Sequence, residues 1–165
     1  MTAWATRSGW LAMAVWLFAA SCGPAIAEGR VALVIGNAAY RNVPPLANPA
    51  NDAADMAVKL ANMGFEVTSG TDLDLDALRR TVRDFIGKLA GADLAVFYYA
   101  GHGLQVNGEN YIAPIDAQLN SHDDLPFEAI PVDLVLSAME RNTRTNLVFL
   151  DACRDNPFAD NLARS

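Results

Sequence analysis

Three stretches of this sequence, residues 30–35, 93–100 and 146–150, are apolar after their first residue and do not alternate with polar positions. A strand with one wet face alternates, so an unbroken apolar run belongs to a strand covered on both faces. Between these runs lie segments with the 3.6-residue period of amphipathic helices. Residues 51–63 gather Ala53, Met56, Ala57 and Leu60 on one face and stop at Gly64. Leu75, Leu78, Val82, Phe85, Ile86 and Leu89 share another helical face, with Arg79, Arg80, Arg83 and Lys88 solvated opposite. A third helix starts near Pro131 with Val132, Val135, Leu136 and Met139 inward, and residues 65–68 read as a short strand. The alternation predicts a three-layer α/β fold: a mainly parallel sheet flanked by helices, with right-handed crossovers. Asn107 and Gly108, set between two short apolar runs, mark a two-residue hairpin after the third strand.

The N-terminus stands outside this pattern. Arg7, an apolar run over residues 10–20 and small residues ending at Ala27 make the three parts of a secretory signal peptide. Residues 28–165 are then the single folded domain, and its expected place is the periplasm or the exterior. A lipid anchor on Cys22 is the weaker alternative, because no aliphatic residue stands three places before it. With the leader set aside, no run reaches the roughly 18 apolar residues of a membrane span. The 12 Lys and Arg against 19 Asp and Glu give a net charge of −7 without a basic cluster, which argues against nucleic acid as a partner.

Removal of the leader leaves Cys153 as the one cysteine, so no internal disulfide forms although the domain is exported. Parallel α/β sheets bind ligands beyond the carboxyl ends of their strands. His102 and Cys153 lie just past the ends of the third and fourth strands, which puts both on one edge. An imidazole takes a thiol's proton and later returns it to a leaving amine. Gly101 and Gly103 leave room for substrate around the histidine, and the N–H groups of Gly103 and Cys153 are the candidate oxyanion donors. A buried inert cysteine with a turn histidine is the alternative, which the joint placement disfavours.

At these residues the chain resembles the caspase-like cysteine peptidases of clan CD, family C14, and within them the bacterial metacaspase-like members. The resemblance runs from Arg30 to about Phe158, over the part that forms the large catalytic subunit. It is carried by VALVIGN at 31–37 with Tyr40, LANPANDA at 46–53, Gly64 with Phe65, FYYAGHG at 97–103, YIAPID at 111–116 and LDACRDNPF at 150–158. The resemblance implies that His102 is the general base and acid and Cys153 the nucleophile, 51 positions apart, close to the caspase offset. It also implies Gly103 and Cys153 as the oxyanion hole. The metacaspase pattern has an acid two places before the nucleophile. With the acid of the Asn-Asp-Ala stretch, it lines the pocket for the substrate side chain before the cut. Those positions are Asp151 and Asp52, and two carboxylates there select Arg or Lys; Asp52 as a mere helix N-terminal acid stays open.

The same resemblance suggests calcium activation through Asp116, Asp133 and Asp160, since carboxylate oxygens suit that hard ion. No other cofactor is expected. The family's sheet has six strands, of which four are recognisable up to Cys153. A further C-terminal region or a partner chain is therefore expected to complete the sheet, and an uncovered fourth strand is an exposed edge. The competing reading is an exported, non-catalytic caspase-like binding or regulatory module. Against it, such a module has no reason to keep a reactive thiol in an oxidising space.

Overall fold

The computed structural model describes residues 29–153, with the backbone alone at Cys153, and residues 157–158. The expected leader over residues 1–27, with Cys22, and the expected calcium ligand Asp160 lie outside the described residues. In chain order the elements are β1 (Gly29–Gly36), α1 (Pro49–Asn62), β2 (Glu66–Thr71), α2 (Leu75–Lys88), β3 (Ala92–Val106) and β4 (Glu109–Ile112). A 3-10 turn over His122–Asp124, α3 (Leu125–Glu128), β5 (Ile130–Pro131), α4 (Val132–Asn142) and β6 (Thr145–Cys153) follow.

Three parallel pairings set the strand order β2-β1-β3-β6. Side-chain direction alternates along a strand, so each unbroken run feeds two cores. Leu33, Ile35, Phe97 and Tyr99 face α2 and α4, where Leu78, Val82, Phe85, Val135 and Met139 meet them. Ala32, Val34, Val96, Tyr98 and Ala100 face α1, against Ala53 and Leu60. Each fully buried Leu or Phe contributes roughly 1.5–3 kcal/mol, and the three-layer α/β arrangement expected from the sequence is the one observed. Among the described residues no helix is long and apolar enough to cross a membrane.

Helix ends follow the sequence signals. Gly64 sits at φ +83° behind α1, a backbone state that glycine adopts without a Cβ penalty. Asp74 caps α2 by accepting the Ala77 N–H at 2.9 Å. Asn107 and Gly108, at φ +53° and +86°, make the two-residue turn from β3 into β4.

Two expectations need correction. His102 was expected past the end of the third strand, and Cys153 past the end of the fourth; both lie within strands. β3 runs on because β6 pairs with it through His102, while β1 ends opposite Ala100 and β4 takes over antiparallel from Gly103 to Val106. The fourth strand was also expected to be buried. In β6, Leu147, Val148, Phe149 and Leu150 are 43, 38, 51 and 44% exposed, because β3 is its one neighbour among the described residues.

Candidate active site

The site forms where β1 stops and β3 continues. The first amide after β1, Asn37 N–H, still donates to Ala100 O at 2.9 Å. A strand turns every second residue toward the same neighbour, so the next β3 group needing a partner on that side is the His102 N–H. The Tyr40 hydroxyl accepts it at 2.7 Å. The side chain of Tyr40 thus takes the place of the missing strand residue.

Local chemistry fixes the loop that carries Tyr40. Asn37, fully buried, donates its Nδ2 to Ala113 O at 3.0 Å and accepts the Leu73 N–H at 2.9 Å. Asp72 accepts the N–H groups of Ala38 and Ala39, each at 2.8 Å. The Arg41 N–H reaches Ile115 O at 2.8 Å. These anchors bring Pro44 O to 2.9 Å from Nε2 of His102. A carbonyl only accepts, so Nε2 carries the proton and the neutral ring presents Nδ1 as a lone pair. Nδ1 is buried without a hydrogen-bond partner among the described residues. In the parallel register of β3 and β6, the residue beside His102 is Cys153.

Gly103 follows His102 and pairs with Ile112 of β4. A Cβ at this position would lie 3.0 Å from the Cβ of Ala152, so the chain stays slim on the side facing β6. Asp151, two residues before Cys153, and Asp52, in the first turn of α1, are both exposed. Burial first, and then the carboxylates of Asp151 and Asp52, raise the Tyr98 hydroxyl above its ordinary 10.0. Two acids from different elements therefore act on one side chain.

The remaining acids are placed differently. Asp116 accepts the Leu75 N–H at the start of α2 at 2.9 Å, a structural use of its carboxylate. Asp133 is exposed in the first turn of α4. Among the described residues no three His, Cys, Asp or Glu side chains form a group able to hold an ion, and Asp160 lies outside them.

Sequence reasoning did not single out the parts of Tyr40, Tyr99, Pro44, Asn37 and Asp72. The usable signal was a buried amide side chain following an apolar strand, which needs partners in other segments.

A parallel sheet core between helices, with a buried imidazole and a cysteine side by side on adjacent strands, defines an α/β protein of caspase-like fold. The sequence model of the caspase domain matches residues 29–164, and the chain belongs to that peptidase family. It is 32% identical over 139 residues to human mucosa-associated lymphoid tissue lymphoma translocation protein 1, covering 83% of this chain and 16% of that protein. The mouse homolog is 31% identical over 142 residues, covering 85% and 17%. The chain thus spans about a sixth of the length of these curated relatives. Protein GSU0716 from Geobacter sulfurreducens, known from its crystal structure, shares the fold at TM-score 0.59 and 24% identity, over 80% of this chain and 53% of that one.

Proposed function

We propose that this chain is a cysteine-type endopeptidase of the metacaspase-like branch that cleaves protein or peptide substrates after Arg or Lys. The observation that carries the reading is the Nδ1 of His102, buried and without a hydrogen-bond partner among the described residues, at the β3 position whose neighbour in β6 is Cys153. Nδ1 takes the thiol proton while the sulfur attacks the scissile carbonyl carbon. The N–H groups of Gly103 and Cys153 receive the developing oxyanion. The carbon–nitrogen bond then breaks and the amine leaves with the proton from Nδ1. Water hydrolyses the thioester, giving one proton to Nδ1, which returns it to the sulfur. Pro44 O, bonded to Nε2, holds the ring's tautomer and shares the charge of the imidazolium.

Asp52 and Asp151, which act together on Tyr98, support a pocket that selects a cationic side chain. The outer edge of β6, without a strand partner among the described residues, supports completion of the sheet by a further region or a partner chain. Export through a leader at residues 1–27, to the periplasm or the exterior, belongs to the same reading, with residues 28–165 as the catalytic domain. Calcium would under this reading be held by Asp116, Asp133 and Asp160 and would activate the enzyme without taking part in the chemistry, although the Asp116 carboxylate already accepts the Leu75 N–H. The exposed β6 strand equally suits a non-catalytic binding module, which turnover separates from a peptidase.

The test is a peptide panel with Arg, Lys, Asp or Ala before the scissile bond, given to the wild-type chain and to Cys153→Ala, with and without calcium. Turnover of the Arg and Lys peptides alone, lost in the variant, is the expected result. Removing a catalytic nucleophile costs on the order of 10⁴-fold or more. Equal turnover by Cys153→Ala would overturn the reading, and silence from folded wild-type protein would favour the binding module.

A further inference from the structure

The backbone of His102 is held by a closed ring of hydrogen bonds. Its N–H donates to the Tyr40 hydroxyl at 2.7 Å, and its C=O accepts the Tyr99 hydroxyl at 2.7 Å. The two hydroxyl oxygens stand 3.2 Å apart. One direction satisfies every group: the His102 N–H donates to Tyr40, Tyr40 donates to Tyr99, and Tyr99 donates to the His102 carbonyl. The Tyr40 ring also lies against the imidazole, with centroids 4.4 Å apart at 50°. We infer that Tyr40 and Tyr99 are positioning residues that set the orientation of the His102 ring, with Nε2 on Pro44 O and Nδ1 toward β6.

The inference rests on the reading of His102 as the base, and three further observations support it. His102 N–H lies beyond the last residue of β1, so without Tyr40 this buried donor has no strand partner on that side. The space beside Gly101 is filled by the same two hydroxyls: a Cβ there would lie 2.7 Å from each. Residue 101, within β3 at φ +154°, is thereby restricted to glycine just before the histidine. Both phenols also stay protonated through the neutral range, since burial pushes Tyr40 up to about 12 and Tyr99 well above its ordinary value. A ring built from neutral hydroxyls keeps its donor order while His102 gains and loses a proton. Tyr40 and Tyr99 thus act through His102 and not on substrate.

The test uses the full chain carrying Cys22→Ser, so that Cys153 alone reports thiol reactivity. Iodoacetamide alkylation at pH 7 is compared in this background and with added His102→Ala, Tyr40→Phe or Tyr99→Phe. With His102 as the base, His102→Ala slows alkylation roughly three- to tenfold, the gain in thiolate fraction being offset by lower nucleophilicity. Tyr40→Phe is expected to reproduce at least half of that slowing on a logarithmic scale, with kcat down roughly tenfold or more and KM changed less than about threefold. The chain has two histidines, so the imidazole ¹⁵N spectrum is assignable. The His102 signals of the wild type should report the Nε2–H tautomer, and those of Tyr40→Phe a mixture.

If His102→Ala alkylates like the wild type, the base reading itself fails. If His102→Ala is slowed while both folded phenylalanine variants match the wild type in rate and spectrum, the positioning role is overturned and the base reading stands. Tyr99→Phe, which leaves the His102 carbonyl with the Ala113 N–H at 3.1 Å, decides the matter should Tyr40→Phe not fold.

Discussion

At the scale of the residue, tyrosine protonation ties the site to stability. All four tyrosines have raised hydroxyls, and for Tyr40 the largest cause is burial, ahead of the opposing hydrogen bonds from Tyr99 and His102. The unfolded chain releases these protons near pH 10, whereas folded Tyr40 holds its proton to about 12. Between those values the native state binds more protons than the unfolded one, so unfolding free energy falls as pH rises. The stabilisation is fully present below pH 10 and is lost as pH climbs through 12. Urea midpoints measured from pH 8 to 11 should decline at the alkaline end, and Tyr40→Phe should decline less steeply from a lower starting point. Parallel curves would show that Tyr40 does not titrate in the way its burial requires.

At the scale of the element, the segment between β1 and α1 converts a strand end into a site. Asn37 joins three pieces of chain, reaching Ala100 O through its N–H and Ala113 and Leu73 through its side chain. Asn37→Ala leaves the Leu73 N–H unpaired, at about 1–3 kcal/mol, and takes one donor from Ala113 O, which keeps the Tyr99 hydroxyl at 3.3 Å and loses about 1 kcal/mol. We expect a loss of about 2–4 kcal/mol in chemical denaturation, with activity falling as Pro44 and Tyr40 lose their register on His102; a change under 1 kcal/mol would mean that water replaces the side chain. The elements themselves were legible in the sequence, because apolar runs and 3.6-residue periods are local signals: β1, α1, α2 and α4 lie close to where those signals put them, and β3 starts where expected but runs six residues further, to Val106. Although His102 lies within β3 and not past its end, it was legible between two glycines, and Cys153 was legible just after the last apolar run. Their direct pairing was not, because register is set by contacts among segments some 50 residues apart. For the same reason the ring through Tyr40 and Tyr99 could not be read: a tyrosine in a loop and a tyrosine in a strand look like core residues until both hydroxyls meet one backbone unit. Short pieces such as β5 and α3 lacked the length that periodicity needs.

At the scale of the whole molecule, β6 stands out because β3 is its one strand neighbour among the described residues. Register places Phe149 beside Tyr98 on the α1 face and Leu150 beside Tyr99 on the opposite face. There Leu150, Ala152, Tyr99, Ile112 and Val132 line a cleft of about 530 Å³. The strand presents four half-exposed apolar side chains, on both faces, next to an outer edge with no strand partner among the described residues. Covering the remaining surface of such side chains is worth roughly 1 kcal/mol each, about 4 kcal/mol together, which on its own corresponds to a dissociation constant near 1 mM. Strand pairing adds backbone hydrogen bonds, each net about 1 kcal/mol, while association entropy opposes both. The sum predicts weak self-association of the chain from Glu28 onward, with the sedimentation coefficient rising between about 10 µM and 1 mM. Phe149→Lys with Leu147→Lys should hold it monomeric across that range, since charged side chains block edge pairing. A wild-type chain that is monomeric throughout, or an association that both lysines leave intact, would show that β6 is not the surface through which this molecule meets another.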